Sequence, residues 1–324
     1  MDLRTHTLYY NFLSLSRVNQ QILKGRNAVD LCNIATVRKL MEKYGIAAKK
    51  GYGQNFLINP SVPADIAEES YSYHMGPSGG KSGSVLEIGP GIGCLTCELA
   101  ERYERVRAVE IDRGLIPLLG ETLADYPNTQ VINTDFMKLD LPAFLSEHFP
   151  EGKISVCANL PYYITTPILM KLIEEGEGRF DSITIMVQDE VATRLCAAPG
   201  DADYGSVTAS VHYYGNCRKL FKVAPGNFLP APKVTSAVIR IELYEEPPYH
   251  CVDVETLRRV IAAAFGMRRK TLVNALMASF SDIGKDRIGE ILVELGMDIG
   301  VRGERLSTEE FCNLANAFYE ERKK

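Results

Sequence analysis

Short apolar runs alternate with helix-like stretches through most of this chain of 324 residues. Seven such runs follow a Gly/Ser/Pro-rich turn, at 85–88, 106–109, 131–132, 154–158, 183–187, 220–223 and 234–241. Apolar spacing typical of helices lies between most of them. This alternation predicts an α/β fold with a parallel sheet covered by helices on both faces. The last two runs are joined by a proline-rich loop without a helix, which predicts an antiparallel end to the sheet.

The alternation ends at Glu245-Glu246-Pro247-Pro248, which marks a linker. Beyond it only helical spacing remains, at about 253–265, 271–280, 286–296 and 308–322. Ser307 and Glu310 predict a capping box at the start of the last helix. We therefore predict an N-terminal extension over 1–27, an α/β domain over 28–246 and a small all-helical domain over 247–324.

Composition bounds the class of protein. Hydrophobic residues make up 46% of the chain and charged residues 24%, which is ordinary for a globular protein and excludes a disordered or fibrous one. No window has the apolar length of a membrane span, and the eight cysteines and five histidines lack zinc-site spacing. We expect reduced thiols, no bound metal and a cytoplasmic location. Residues 1–27 fit an extension or an early start codon better than a transit peptide.

A glycine-rich turn follows the first strand of the predicted sheet. Its glycines, Gly89, Gly91 and Gly93, are spaced Gly-x-Gly-x-Gly after an acidic residue, which suits S-adenosylmethionine better than a dinucleotide. Glu110 ends the second run, where a carboxylate suits the hydroxyls of a ribose. Asp135 follows the third run and is a candidate acceptor for an adenine amino group, with Phe136 against the ring. A glycine turn alone would be weak evidence, but this order predicts a nucleotide-type cofactor.

Asn159-Leu160-Pro161-Tyr162 follows the fourth run, at the carboxyl end of a central strand where ligands bind in such sheets. The amino nitrogen of adenine is a poor nucleophile because its lone pair is delocalised into the ring. The Asn159 side-chain oxygen and the Leu160 carbonyl are two acceptors that can hold its hydrogens and direct the lone pair at a methyl group. Tyr162 can stack on the flipped base. The motif therefore predicts methylation of an exocyclic amine.

These motifs, and several others, resemble those of the ribosomal RNA adenine dimethyltransferases, and in particular of the small-subunit class. The resemblance runs from about residue 30 to 320. The further matching segments are Gly53-Gln54-Asn55-Phe56-Leu57, Val109-Glu110-Ile111-Asp112, Gln188-Asp189-Glu190-Val191-Ala192, the segment 228–234, and Arg268-Arg269-Lys270-Thr271-Leu272. Residues 1–27 have no counterpart in the usual family pattern.

The resemblance implies a Rossmann-like class I methyltransferase sheet with a small helical C-terminal domain, and it implies site residues. It implies cofactor contacts from Gln54, Asn55, Leu57, Gly89, Gly91, Glu110, Ile111, Asp135, Phe136 and Asn159. Phe228 would clamp the target base against Tyr162. The implied activity transfers four methyl groups from S-adenosylmethionine, two to each of two adjacent adenosines. The implied location of these adenosines is a hairpin loop near the 3′ end of small-subunit rRNA. The implied partner is an assembling small subunit, and the implied enzyme is a monomer.

Other functions differ from this one at particular residues. Enzymes that methylate one large-subunit adenosine usually carry Asn-Ile-Pro-Tyr/Phe, whereas this chain has Leu160. DNA adenine methyltransferases typically carry Asp/Asn-Pro-Pro-Tyr, which is absent here. A purely binding role in subunit assembly is a third alternative, against which the intact Asn159, Glu110 and glycine turn argue.

The net charge of −5 hides basic stretches. Residues 204–241 carry five basic and no acidic side chains, and residues 256–281 likewise carry five and none. Nucleic-acid binding depends on such local patches, not on the total charge. We therefore predict RNA contacts at Lys233, Arg258, Arg259, Arg268, Arg269 and Lys270.

Overall fold

The computed structural model describes residues 30–46, 55–71, 83–176 and 178–324. Contacts between residues divide the chain into two compact units. The first, the sheet unit, runs to Asp189 and includes Leu220–Arg240; the second, the helical unit, comprises Glu190–Lys219 and Ile241–Lys324. The sequence predicts one boundary at 246/247, whereas this division also assigns residues 190–219 to the helical unit.

Among the described residues, nine strands form two sheets. They are β1 (Phe56–Leu57), β2 (Ser84–Ile88), β3 (Arg105–Glu110), β4 (Thr129–Asn133), β5 (Ile154–Asn159), β6 (Phe180–Gln188), β7 (Gly215–Val223), β8 (Phe228–Leu229) and β9 (Ser236–Leu243). Seven of them make one sheet in the order β4-β3-β2-β5-β6-β9-β7, and β1 pairs with β8. Strands β4, β3, β2, β5 and β6 are mutually parallel. The predicted parallel sheet is therefore confirmed.

The far edge of the sheet runs in the opposite direction. The main-chain N–H of Asp189, just after β6, donates to Thr235 O, just before β9, at 3.0 Å. Likewise the N–H of Tyr244, just after β9, donates to Tyr214 O, just before β7, at 2.9 Å. Bonds that join the end of one strand to the start of the next mark antiparallel neighbours, as the proline-rich connection predicts.

Twelve helices accompany the strands in the described part of the chain. They are α1 (Ile34–Lys43), α2 (Ser61–Tyr71), α3 (Cys94–Arg102), α4 (Ile116–Thr122), α5 (Leu141–His148), α6 (Thr165–Glu175), α7 (Asp189–Leu195), α8 (Ser206–Tyr214), α9 (Val254–Gly266), α10 (Leu272–Met277), α11 (Lys285–Glu294) and α12 (Thr308–Glu321). The four helices predicted beyond the linker correspond to α9–α12, so the helical C-terminal region is confirmed. None of these helices is both long and apolar enough to cross a bilayer.

The central strands are buried on both faces, as parallel strands between helix layers must be. In β5 the residues Ile154 to Ala158 are all buried. Val85, Val106 and Cys157, from three neighbouring strands, share a core cluster with Leu99 of α3. This packing fixes the carboxyl ends of β2, β3 and β5 relative to one another, and those ends carry the predicted site residues.

The helical unit has its own core. Phe280 and Phe318 pack edge to face with ring centroids 4.8 Å apart, and both are fully buried. At the start of α12 the Ser307 hydroxyl accepts the Glu310 N–H while the Glu310 carboxylate accepts the Ser307 N–H, so the predicted capping box is confirmed. Tyr204 and Tyr213 are buried in the same core, which explains why residues 190–219 group with this unit.

Candidate active site

A cavity of about 150 Å³ lies in the sheet unit at the carboxyl ends of β2, β3 and β5. Most of the predicted cofactor and catalytic residues line it, namely Asn55, Leu57, Gly89, Gly91, Glu110, Ile111, Asp135, Phe136, Asn159, Leu160, Tyr162 and Phe228. Gln54, also predicted to contact the cofactor, lies outside the described residues. Ligands bind in α/β sheets at this edge, where strands end and loops diverge. The cavity is therefore the candidate active site.

The glycine turn forms one wall of the cavity between β2 and α3. Gly91 has φ 60° and Gly93 has φ 96°, in the left-handed region that favours glycine. A Cβ at Gly93 would also lie only 3.2 Å from the Thr122 hydroxyl. The Gly93 N–H donates to Pro90 O at 3.0 Å and closes the turn directly before α3 begins. The turn thus presents backbone, not side chains, to a ligand.

Glu110 is fixed at the end of β3 by hydrogen bonds to both carboxylate oxygens. Oε1 accepts the Asp112 N–H at 2.7 Å, and Oε2 accepts the Gly91 N–H at 3.3 Å. The residue is 4% exposed, and burial raises the pKa of its carboxyl. Each carboxylate oxygen can accept more than one hydrogen bond. Both oxygens therefore keep the capacity to accept hydroxyl groups from a ligand in the cavity.

Asp135 begins a short 3₁₀ turn, Phe136–Lys138, after β4. Its Oδ1 accepts the Met137 N–H at 3.0 Å, and its Oδ2 lies 3.9 Å from Lys138 Nζ. The hydrogen bond to the Met137 N–H holds the Asp135 carboxylate at the edge of the cavity. Phe136, which is 5% exposed, contributes an apolar ring beside it. An acceptor next to a flat apolar surface suits the amino edge and the face of an adenine.

The opposite wall of the cavity is formed by Asn159-Leu160-Pro161-Tyr162, the Asn159 motif. Asn159 is the last residue of β5 and is half-buried, and Leu160 is 2% exposed. The Tyr162 hydroxyl lies 2.7 Å from Ser236 Oγ, which fixes the orientation of the ring. The pairing of Leu57 with Phe228 in the small β1–β8 sheet brings both side chains to this cavity. The polar acceptors of the Asn159 motif are thus surrounded by aromatic and apolar side chains.

Glu87 is a cavity residue to which sequence reasoning assigned no role of its own. It lies in β2, is 1% exposed, and its Oε2 has no hydrogen-bond partner among the described residues. Burial raises the pKa of this carboxyl to about 8. A buried carboxyl oxygen without a partner is costly unless the carboxyl is neutral or a ligand completes it. The signal in the sequence is an acid in the middle of Val85-Leu86-Glu87-Ile88, an otherwise apolar strand.

The predicted RNA-contacting residues differ in their surroundings. In the helical unit, Arg258 donates to the Tyr214 hydroxyl at 3.3 Å. Arg259 donates to Ser279 O at 3.0 Å and lies over the Phe280 ring. Both guanidinium groups thus contribute to the packing of that unit.

The remaining predicted RNA contacts lie at the surface. Arg268 donates to Ala202 O at 3.0 Å and lies 3.6 Å from Glu304. The side chains of Arg269 and Lys270 are exposed and form no ion pair with a described residue. Lys233, in the sheet unit, is also exposed. These four residues have the accessibility that a phosphate contact requires, and their role stays a prediction.

Comparison with known proteins identifies the family. The family model for the ribosomal RNA adenine dimethylases matches residues 45–320. A "Ribosomal RNA small subunit methyltransferase A" of Alkaliphilus oremlandii is 43% identical over 86% of this chain and 94% of the relative. One of the same name from Shouchella clausii is 41% identical over 90% of this chain and 96% of the relative.

Solved structures agree with the fold. The crystal structure of the 23S rRNA methyltransferase ErmE covers 82% of this chain and 100% of its own, with 26% identity and a TM-score of 0.60. A dimethyladenosine transferase from Plasmodium falciparum covers 82% of this chain and 98% of its own, with 24% identity and a TM-score of 0.66. With the family model matched over most of its length, the chain belongs to the ribosomal RNA adenine dimethylase family.

Proposed function

We propose that this rRNA adenine dimethyltransferase binds S-adenosylmethionine in the cavity of the sheet unit. Its substrate would be two adjacent adenosines in a hairpin loop near the 3′ end of small-subunit rRNA, each of which receives two methyl groups on its exocyclic amine. The observation that carries the proposal is the convergence of Glu110, the glycine turn and the Asn159 motif on one cavity. The acceptors for a nucleoside cofactor and for an amine therefore line the same space.

The residues of the cavity fit such a cofactor. The carboxylate of Glu110 is held where it can accept both ribose hydroxyls, and Asp135 with Phe136 can receive the adenine ring. The glycine turn leaves room for the methionine part close to the backbone. When bound, S-adenosylmethionine supplies a sulfonium-activated methyl group. Glu87 adds a buried carboxyl to the same cavity, which suits a ligand with positive charge.

The Asn159 motif would orient the target amine. In the first transfer to each adenosine, the two hydrogens of the amine donate to Asn159 Oδ1 and Leu160 O, which directs the nitrogen lone pair and stabilises the positive charge that develops on nitrogen; in the second transfer one hydrogen remains to donate. Tyr162, held by Ser236, offers a fixed ring on which the flipped base stacks. Phe228, 3% exposed, packs beside it. Each of these residues positions the base, and none of them forms a covalent bond to it.

The small-subunit assignment rests on the names of the relatives that are 41% and 43% identical to this chain, and on Leu160. ErmE, a 23S rRNA methyltransferase, has the same fold at lower identity, so methylation of large-subunit RNA is the alternative enzyme function. A role in small-subunit biogenesis accompanies the proposed substrate, because an enzyme that acts on an assembling subunit binds it before maturation is complete.

Methyl transfer to purified subunits tests the proposal. Small and large subunits from cells that lack this protein are incubated with the enzyme and labelled S-adenosylmethionine, and the modified nucleotides are mapped by mass spectrometry. Two adjacent dimethyladenosines in small-subunit rRNA are expected. Label in large-subunit rRNA alone would favour the alternative enzyme, and tight binding to the small subunit without label would favour a pure assembly factor.

Variants at the Asn159 motif test the mechanism. Asn159→Ala is expected to lose most of the transfer rate while it still binds the subunit, because an acceptor of the amine is lost. Asn313→Ala, at an exposed position of α12, is the matched control and keeps full activity. Near wild-type activity of Asn159→Ala would contradict the acceptor role.

A further inference from the structure

Two cysteine thiols of the helical unit lie in direct contact. Cys196 follows α7 and Cys217 lies in β7, and their Sγ atoms are 3.2 Å apart. Both are free thiols, separated by 21 positions in the sequence. The catalytic arrangement described above uses neither of them. A pair of thiols at this distance needs only a small approach to form a covalent bond.

The two thiols differ in exposure and in charge environment. Cys196 is half-buried, whereas Cys217 is 9% exposed. A hydrogen bond from the Cys217 thiol, with Lys219 nearby, lowers the pKa of Cys196, and the same bond together with burial raises the pKa of Cys217. Lys219 is itself held by a 2.9 Å hydrogen bond from its Nζ to the Thr193 hydroxyl. The more accessible sulfur is thus the one that ionises first.

We propose that Cys196 and Cys217 form a reversible redox dithiol in which Cys196 reacts with hydrogen peroxide and Cys217 resolves the product. A thiolate is the nucleophile in such reactions, and solvent access together with a nearby cation is what distinguishes reactive from structural cysteines. Cys157 in β5 shows the contrast, because it is fully buried and burial raises its pKa.

The reaction has two steps. The Cys196 thiolate attacks one peroxide oxygen and the O–O bond breaks, which gives a sulfenic acid and a hydroxide that takes up a proton. The Cys217 sulfur, having lost its proton, then attacks the Cys196 sulfur, the S–O bond breaks and a second hydroxide leaves as water. Two thiols and one hydrogen peroxide thus give one disulfide and two waters, and a thiol reductant reverses the oxidation. The disulfide closes a loop that contains α8.

Peroxide treatment of the full-length protein tests the proposal. After timed exposure the remaining thiols are alkylated, and peptides are mapped by mass spectrometry with and without reduction. We expect a Cys196–Cys217 disulfide to form at least about tenfold faster than the Cys157 thiol is lost, and to disappear with dithiothreitol. The buried Cys157 serves as the internal control in the same sample.

Two variants separate the roles of the thiols. In Cys217→Ser the sulfenic acid of Cys196 is expected to accumulate and to be trapped by dimedone. In Cys196→Ser the Cys217 thiol is expected to be oxidised no faster than Cys157. Both variants are checked for an unchanged thermal unfolding temperature, so that local unfolding does not expose the remaining thiol. Equal rates of thiol oxidation at Cys196 and Cys157 in the wild-type protein would overturn the proposal. So would dimedone labelling of Cys217 in Cys196→Ser that is as fast as the labelling of Cys196 in Cys217→Ser.

Discussion

The Gly91 N–H donates to the Glu110 carboxylate at 3.3 Å, so one side chain at the end of β3 holds the glycine turn that follows β2. The other oxygen of the same carboxylate accepts the Asp112 N–H at 2.7 Å. Parallel pairing of Ile88 with Val109 already places these two strand ends side by side. Glu110 therefore organises the cavity before any ligand binds, besides offering acceptors to one.

Replacing Glu110 by glutamine tests this double role. A glutamine has only one oxygen, so its amide NH₂ must face one of the two backbone N–H groups that the carboxylate accepts. We expect Glu110→Gln to weaken binding of S-adenosylmethionine roughly 10- to 100-fold, the range for loss of a hydrogen bond to a charged group. Isothermal titration calorimetry measures this, with Glu147→Gln at an exposed position of α5 as the control. An unchanged dissociation constant would show that Glu110 does not contact the cofactor.

The buried carboxyl of Glu87 predicts a proton linkage to cofactor binding. Burial raises its pKa to about 8, so it is mostly protonated at pH 7. A cationic ligand in the same cavity favours the charged form and lowers the pKa, so binding releases a proton and tightens as the pH rises towards 8. Calorimetry in buffers of different ionisation enthalpy measures the proton release.

Glu87→Gln is the variant for this linkage. It is expected to bind cofactor without proton release and with a flatter pH dependence.

Without ligand, the wild-type protein should lose stability as the pH rises between about 4.5 and about 8, since the folded state binds the proton on Glu87 more tightly than the unfolded one. The contribution of one group to this slope approaches about 1.4 kcal/mol per pH unit, and Glu87→Gln should remove it. An identical slope in the variant would rule out Glu87 as its source.

The main sheet and the C-terminal helices could be predicted from the sequence because their signals are local. Apolar runs such as 154–158 and the Ser307 capping box depend on residues that are near one another in the chain. The pairing of β1 with β8 could not be predicted in this way. Each of these strands has two residues, and Leu57 meets Phe228 across a large sequence separation. No periodicity can appear in a strand of that length.

The residues of the candidate site likewise divide into those with a local signal in the sequence and those without one. The glycine turn, Glu110 and Asn159 are each marked by their place directly after a predicted strand. The hydrogen bond between Tyr162 and Ser236 gives no such signal, because a serine at the start of β9 is unremarkable until the sheet order places it near β5. The different surroundings of Arg258 and Arg269 are likewise invisible in the sequence, where both belong to one basic stretch.

Asp65 in α2 predicts a second, separate pH effect on stability. Burial, with the nearby Glu69 carboxylate adding to it, raises the pKa of Asp65 to about 6, although Arg102 opposes the shift. A raised carboxyl pKa destabilises the folded state above that pH and has no effect below the unfolded pKa near 4. Asp65→Asn should therefore stabilise the protein at pH 7.5, by about 1 kcal/mol after screening by solvent.

The pH dependence of that gain is the critical measurement. Denaturant unfolding at pH 7.5 and at pH 4 should show the stabilisation only at the higher pH. Asp125→Asn, at an exposed position, is the control and should change stability little at either pH. A gain of equal size at both pH values would mean that helix propensity or packing, not ionisation, causes it.

The basic stretch around α9 should separate into binding and structural members. Arg269 and Lys270 are exposed, so neutralising both to glutamine should weaken rRNA binding and reduce the slope of log affinity against log salt by about 2. Thermal stability should hardly change. Neutralising the exposed Lys323 and Lys324 gives a control with the same change in net charge. The assignment fails if both pairs reduce the salt slope equally.

Arg259 in the same stretch should behave differently. Its guanidinium donates to Ser279 O and covers the Phe280 ring, so Arg259→Gln should lower the unfolding temperature by a few degrees. Differential scanning calorimetry measures the shift. A variant with wild-type stability but weakened RNA binding would instead place Arg259 among the phosphate contacts.

The hydrogen bond between Tyr162 and Ser236 predicts a coupling between the two side chains in catalysis. Tyr162→Phe keeps the ring that would stack on the base but releases its hydroxyl, and Ser236→Ala releases the same bond from the other side. Each change should lower kcat/KM for RNA roughly fivefold, the equivalent of one hydrogen bond of about 1 kcal/mol. If the bond acts only by holding the ring, the double variant of Tyr162→Phe and Ser236→Ala should lose no more kcat/KM than either single variant.

Comparison with Tyr162→Ala separates orientation from stacking. Removal of the whole ring should reduce kcat/KM by roughly a further 10-fold, since stacking of one base on an aromatic ring contributes about 1–3 kcal/mol. Cofactor affinity, measured by calorimetry, should stay near the wild-type value in the three single variants and in the double variant. Multiplied losses in the double variant would show that Ser236 and Tyr162 act independently, and the fixed ring would then not be what orients the base.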